Sequence, residues 1–362
     1  MKTRHRQSGV ALITALLIMA LATTAAVQMV YRQQLDIRRT QNVLARDQAY
    51  AAALAAEGVV RSLMQQSLAN AEQPIRQEDL DKVSAQFQNF SYWGVNFRLR
   101  VEDLQGRFNL NNLVAGDQPS QVHLEMFRRL AGLAGKDEVQ VPVNSSYTDL
   151  DRAVADWIDA DLQGQIPGGA EDDFYTRSVG AYRTANRPMM GASELRLVLE
   201  LHAGNDSEQA ERWYQALRPL VTALPEDTTI NVNAAPAEVL ASLLPGISVA
   251  EAEQAVEARK EEPYEDVQDF LGRNTEFNTE NLDQSLLGTD SDYYMAIVTT
   301  QAARANVTLY TILRRGPPPR TTPTGGQGGG QSAVAEAATA AQDQGNQNAD
   351  ALSVVLRSQT RP

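Results

Sequence analysis

From Val10 to Tyr31 the chain carries neither a charge nor a proline, and no other stretch limits its fate so strongly. About 20 apolar residues are enough to span a hydrocarbon core. Lys2, Arg4 and Arg6 stand in front of the stretch, which keeps the N-terminus on the cytoplasmic side and sends the rest across. In a secretory signal peptide the small residues that mark the cut follow the apolar run. Here the small residue, Gly9, comes before it. The helical pattern also outlasts the membrane. No proline occurs between the stretch and Pro74, and Ala49, Ala53, Ala56, Val60 and Leu63 recur at helical spacing among glutamines and arginines. The spacing predicts one continuous helix from Val10 to about Asn70, roughly 90 Å long at about 1.5 Å per residue. Its first half suits lipid or neighbouring helices, and its second half suits a single exported body.

That body is acidic. The net charge of −13 repels nucleic-acid phosphates and anionic membrane surfaces and favours cations or basic partners. With no cysteine there are no disulfides and no thiolate metal sites. His5, His123 and His202 are too scattered to suggest zinc.

After a polar link around 70–81, "YWGVNFRLRVEDLQGRFNLNNL" alternates. Val95, Phe97, Leu99 and Val101 take one side, and Asn96, Arg98 and Arg100 the other, as in a half-buried strand. Extended patterns return at 293–300, 306–315 and 352–358. Between the last two lies a Pro-, Gly-, Gln- and Ala-rich stretch, 316–351, whose composition predicts a disordered loop. The region 113–285 reads as successive short amphipathic helices, several opening on Ser, Asp or Pro. The expected fold class is α+β: a long N-terminal helix packed on an antiparallel sheet, with a large all-helical insertion. The expected divisions are a leader 1–9, the helix 10–70, a first part of the sheet domain 71–112, the insertion 113–290 and closing strands 291–362.

Within the insertion two stretches invite a ligand. In "INVNAAPAEVLASLLPGISVAEAEQAVEARKEEPYEDVQDFLG" (230–272) a helix, a Pro-Gly hairpin and two further helices form a helix-hairpin-helix pattern. Such a hairpin can offer backbone N–H groups to phosphate. This one, Pro245-Gly246-Ile247-Ser248, lacks a second glycine and precedes Glu251, Glu253, Glu257, Glu261, Glu262 and Glu265. It is therefore expected to act as packing scaffold, not as a nucleic-acid site.

The other stretch is "DLDRAVADWIDADLQGQIPGGAEDDFYTRS" (149–178). Asp156 and Asp159 share a helix face. Asp159, Asp161, Gln163 and Gly164 match the opening of an EF-hand loop, but its twelfth position is Ala170, with Glu171 one residue later. Asp172 and Asp173 add carboxylates, and hard oxygen ligands without Cys or His favour calcium over zinc. A solvated acidic loop that only caps helices is the alternative.

The leader, the glycine and the retained apolar helix in "RQSGVALITALL" resemble the class III signal of type IV pilins and type II secretion pseudopilins. "GRFNLNNL", "ADWIDAD…GAEDDFY", "ANRPMMGASELRLV" and "INVNAAPAEVLASLLPGIS" resemble the K-type minor pseudopilins, so the likeness covers nearly the whole chain. It implies a pseudopilin fold interrupted by a helical domain, cleavage by a prepilin peptidase between Gly9 and Val10, and methylation of Val10. The family's usual glutamate at the fifth mature position is Thr14 here. A subunit with no neighbour ahead of it needs no such carboxylate, which implies the leading end of the pseudopilus. Also implied are the I-type and J-type minor pseudopilins, the major pseudopilin, the secretin and exported substrates as partners, and the bacterial inner membrane as location, with the bulk of the chain periplasmic. Calcium is implied in the helical domain. The expected ligands are Asp159, Asp161, Glu171 and Asp173, with Asp156 and Asp172 as further candidates. No G-x-S-x-G elbow, P-loop or HExxH occurs, so the expected role is assembly and not catalysis. The alternatives are a membrane-anchored helix-hairpin-helix protein of DNA uptake and a calcium-dependent enzyme held at the membrane.

Overall fold

One helix, α1 (Ser8–Ala69), runs unbroken for 62 residues in the computed structural model. The structure describes residues 8–69, 74–88, 90–116, 118–134, 150–165, 168–177, 181–202, 206–316 and 351–362. Nothing between Leu12 and Leu44 is buried, and that part of α1 is long and apolar enough to cross a membrane. Among the described residues the first buried side chain is Ala45, after which Ala49, Ala53, Val60, Met64 and Leu68 pack inward. Residues 1–7 of the expected leader lie outside the described residues, as do 317–350 of the loop expected to be disordered.

Next come α2 (Gln77–Gln86), β1 (Phe90–Tyr92) and β2 (Val95–Asp103). The insertion then runs through β3 (Phe108–Asn109), a 3-10 turn (Leu110–Leu113), β4 (Val114–Ala115), β5 (Gln118–Pro119), α3 (Gln121–Ala134), α4 (Leu150–Ile158) and α5 (Asp172–Tyr175). It continues with α6 (Leu195–His202), α7 (Ser207–Leu217), β6 (Val221–Thr222), β7 (Ile230–Asn231), α8 (Ala237–Ala241), α9 (Val249–Glu261), α10 (Val267–Arg273) and β8 (Leu287–Gly288). Finally β9 (Tyr293–Ala302), β10 (Ala305–Arg315) and β11 (Leu352–Ser358) close an antiparallel sheet of order β1-β2-β9-β10-β11.

The alternation expected in β2 is present: Leu99 and Val101 are buried while Asn96, Arg98 and Arg100 are exposed. Val60, Met64 and Leu68 of α1 meet Leu99, Val298, Leu309 and Leu313 of the sheet. Lower on α1, Ala49 meets Ala302 and Val307, and its carbonyl accepts the Thr300 hydroxyl at 2.8 Å. The turns that join β1 to β2 and β9 to β10 therefore lie at the end of the sheet nearest the apolar stretch, and Asp103 lies at the far end. Glu57, buried on α1, holds β11 in place. It receives two hydrogen bonds from Arg357 (2.8 and 2.9 Å) and one from Thr311 (2.9 Å), the bidentate geometry in which a guanidinium binds a carboxylate best.

Part of the link expected at 70–81 is helical. The apolar pattern of α2 is too thin to show this, since Leu80 is its only buried large apolar residue. Its work is polar: the Val101 N–H donates to Ser84 Oγ at 3.0 Å, and the Asp103 N–H to Gln77 Oε1 at 2.9 Å. Those side chains cover a sheet edge that would otherwise be left with unpaired backbone groups.

The insertion also begins earlier than residue 113. The chain leaves the sheet after Asp103, because Phe108, Leu110 and Leu113 already belong to the core built around Phe127, Trp157 and Trp213. It is helical apart from short pairings: β3 with β6, β7 with β8 (both parallel) and β4 with β5. Val221 and Thr222, in a stretch that reads as helix, pair instead with Phe108 and Asn109. Asp103 fixes the junction, accepting from Gln105 N (2.8 Å), Gly106 N (3.2 Å) and Ser291 Oγ (2.9 Å).

Candidate functional site

The acidic stretch hangs from α4. This helix buries nearly every residue from Leu150 to Ile158, and Arg128 neutralises its first acid, Asp151, at 2.7 Å. Asp156, fully buried, lies in the last turn of the helix. Its carboxylate accepts the Gln165 N–H at 3.1 and 3.3 Å and also a backbone N–H from Ala170, which draws the two ends of the loop together. Gly169 makes this closure possible: a Cβ there would lie 2.1 Å from Asp156 Oδ2. Asp161 closes a local turn by accepting the Gln163 N–H at 2.7 Å, and its carbonyl accepts from Asn186 Nδ2 at 3.1 Å.

Asp159, Asp161 and Glu171 are brought together in this way, with one carboxylate oxygen of each within 4.8 Å of the others. Glu171 is 5% exposed, and neither of its oxygens receives a hydrogen bond. Leaving a buried carboxylate without a donor is costly. Burial pushes the Glu171 carboxyl up to about 7, reinforced by the negative charges of Asp156, Asp159 and Asp161. Burial also raises Asp156, to about 6, against the hydrogen bonds it accepts.

The other candidates go elsewhere. Asp172 accepts from Thr184 N (3.0 Å) and Oγ1 (2.9 Å), with Arg183 at 3.6 Å. Asp173 is exposed and pairs with Arg177 at 3.0 Å, so the structure does not bring it into the cluster. Asp156 shapes the loop with hydrogen bonds of its own. The EF-hand register fails as the sequence suggests: Ala170 is buried and Glu171 turns to the acids. A flexible, oxygen-only set of this kind suits calcium.

The hairpin at 245–248 is finished differently. Gly246 takes a left-handed φ of +94°. Ser248 caps α9, its Oγ accepting the Glu251 N–H at 3.2 Å, while Glu251 Oε2 accepts the Ser248 N–H at 2.8 Å. Two of the N–H groups at this helix start are thus engaged by the chain's own side chains. Behind them Arg259, buried, donates to the carbonyls of Val232 (2.8 Å) and Ala235 (2.6 Å). This is packing scaffold.

Gly9 and Val10 lie in the first turns of α1, their side chains outside the described residues, and Thr14 is on its exposed part. Sequence reasoning missed the role of Gly169. The run Pro167-Gly168-Gly169 is its only signal in the sequence.

The family described as "Type II secretion system (T2SS), protein K" matches residues 106–226, which hold the acidic loop, and residues 230–289, which hold the hairpin. A type II secretion system protein K of Pseudomonas aeruginosa is 35% identical over 319 residues, covering 86% of this chain and 90% of its own. One from Klebsiella pneumoniae is 32% identical over 278 residues, covering 74% and 80%. A crystal structure of the GspK-GspI-GspJ complex from the enterotoxigenic Escherichia coli type 2 secretion system holds a chain of similar fold. Its TM-score is 0.64 at 20% identity, covering 88% of this chain and 98% of that one.

Proposed function

Because the chain belongs to the type II secretion system protein K family, and so is a minor pseudopilin of that export system, we propose that it forms the leading end of the pseudopilus. One observation carries this reading. The insertion leaves the sheet after Asp103 and re-enters at Tyr293, and Asp103 pairs with Tyr294 at the end farthest from the apolar stretch. The insertion therefore fills the space where a subunit stacked ahead would sit. Thr14 agrees with that place. A carboxylate at the centre of a membrane helix costs about 3 kcal/mol unless paired, and a leading subunit meets no amine from a chain ahead.

The partners are the I-type and J-type minor pseudopilins, by analogy with the complex of similar fold, with the major pseudopilin below and the secretin and exported proteins beyond. The protein works by assembly and contact. Lys2, Arg4 and Arg6 hold its N-terminus on the cytoplasmic side of the inner membrane. Prepilin peptidase cuts between Gly9 and Val10, and Val10 is methylated. Asp159, Asp161 and Glu171 hold calcium, whose charge supplies what Glu171 lacks from the protein.

Membrane-extracted protein from cells making the whole system tests this. Intact mass is expected to give a methylated N-terminus at Val10, and the I- and J-type subunits are expected to co-purify. Cleavage near Ala25–Ala26, or failure of either subunit to co-purify, overturns it.

A further inference from the structure

The turn between β1 and β2 presents an unusual surface. Trp93 is 88% exposed, Tyr92 60% and Phe90 49%. Their rings form a continuous ladder with Phe97, with centroids 5.8 Å (Phe97–Phe90), 6.4 Å (Phe90–Tyr92) and 6.1 Å (Tyr92–Trp93) apart. The backbone beneath Trp93 is strained. Tyr92 pairs with Val95 across a two-residue turn in which both central residues are left-handed, Trp93 at φ +50° and Gly94 at φ +74°. Such turns favour Asn-Gly or Asp-Gly, because a bulky residue clashes in that conformation. A tryptophan kept there, out in solvent, weakens its own turn, and strain held at the surface points to a use in binding.

The location narrows the use. Val95 packs beside Ala49, and the apolar stretch ends at Tyr31. The intervening helix spans roughly 27 Å at about 1.5 Å per residue. The turn reaches back only about 7 Å from the level of Val95, so it stands about 20 Å clear of the bilayer. The neighbouring turn, between β9 and β10, carries the exposed Arg304 at the same end of the sheet. Arginine beside tryptophan and tyrosine is the composition of residues that dominate binding energy. In a chain of net charge −13 the exposed Arg304 favours an acidic counterpart.

We propose that Trp93 and Tyr92, with Arg304 beside them, dock this subunit onto the pseudopilin beneath it, on a face that offers an apolar pocket bordered by carboxylates. This rests on the pseudopilus reading above. A subunit's membrane-proximal end looks down the fibre, and the chain it meets there is the next subunit.

The test places a photo-crosslinking benzoylphenylalanine at position 93 of the full chain in cells that produce the secretion system. The expected adduct contains a different pseudopilin. Trp93→Asn relieves the turn, so it is expected to keep or raise the melting temperature while co-purification of that pseudopilin falls at least about tenfold. Arg304→Glu is expected to weaken co-purification in a salt-sensitive way. An adduct with lipid or with a second copy of this chain, or no adduct, overturns the proposal. So does Trp93→Asn with co-purification unchanged, an outcome that leaves the pseudopilus reading standing. Failure of the wild-type chain to co-purify with any pseudopilin removes both.

Discussion

The hairpin at 245–251 and the loop at 156–171 lie in one inserted domain, and each looks like a ligand site in sequence. The hairpin has answered its own polar groups: Glu251 sits on the Ser248 N–H, and Ser248 on that of Glu251. The loop has not, since both oxygens of the buried Glu171 lack a donor beside two further acids. A motif marks where backbone and charge could meet a ligand. An unanswered buried group marks where a ligand would supply what the fold does not.

Removing the cation should separate the two most sharply. Calcium bound only to the folded state stabilises it by about 2.7 kcal/mol at 100 times its dissociation constant. Melting the full chain in calcium and then in chelator is expected to show that loss, and Glu171→Ala to abolish the difference. Equal midpoints with no metal by elemental analysis would reduce the loop to a self-sufficient acidic surface, like the hairpin.

Gly169→Ala keeps every carboxylate yet puts a methyl 2.1 Å from Asp156 Oδ2. Calcium affinity, read by calorimetry, is expected to fall about tenfold, or about 1.4 kcal/mol. Unchanged affinity would mean that Asp156 does not gather the loop.

Acidity should act on the loop strongly without calcium and weakly with it. Glu171 titrates near 7 in the folded chain against an ordinary 4.5. Between those values the folded state holds a proton that the unfolded state does not, so in chelator stability rises as pH falls from 7 toward 4.5. In saturating calcium Glu171 is held ionised, the folded state no longer takes up the extra proton, and the rise is expected to flatten or disappear over the same interval. Melting temperatures taken at intervals from pH 5 to pH 8 read both slopes.

The smallest effects concern the groups already satisfied. Ser248→Ala removes a helix cap and should cost about 1 kcal/mol, with no change in calcium affinity. Asp173→Ala, which breaks only a surface pair with Arg177, should cost less than about 0.5 kcal/mol. A large loss of calcium affinity in Asp173→Ala would return that residue to the cluster.

Much of this was legible where periodicity carries the information. The continuity of α1, the alternation in β2 and the late return of β11 all follow from apolar spacing. Asp159, Asp161 and Glu171 were legible as a charge pattern. Asp173 was misplaced because successive side chains on a helix diverge, and α5 begins at Asp172. Two residues after Glu171 the chain already faces solvent. α2 was hidden for another reason. What holds it is a set of bonds from Ser84 and Gln77 to an exposed strand edge, and polar contacts of that kind leave no apolar period to read. Gly169 shows only once Asp156 is seen against it.

The bond between Glu57 and Arg357 joins residues 300 positions apart. A ribosome adding about 5–20 residues per second needs roughly 15–60 s to travel between them. Throughout that interval the carboxylate destined for the interior has no guanidinium to meet, and the β10 edge has no β11. The apolar stretch is made early, but the sheet cannot finish until Leu352–Ser358 has been made. A chain cut short before Leu352 would therefore keep its sheet open along β10.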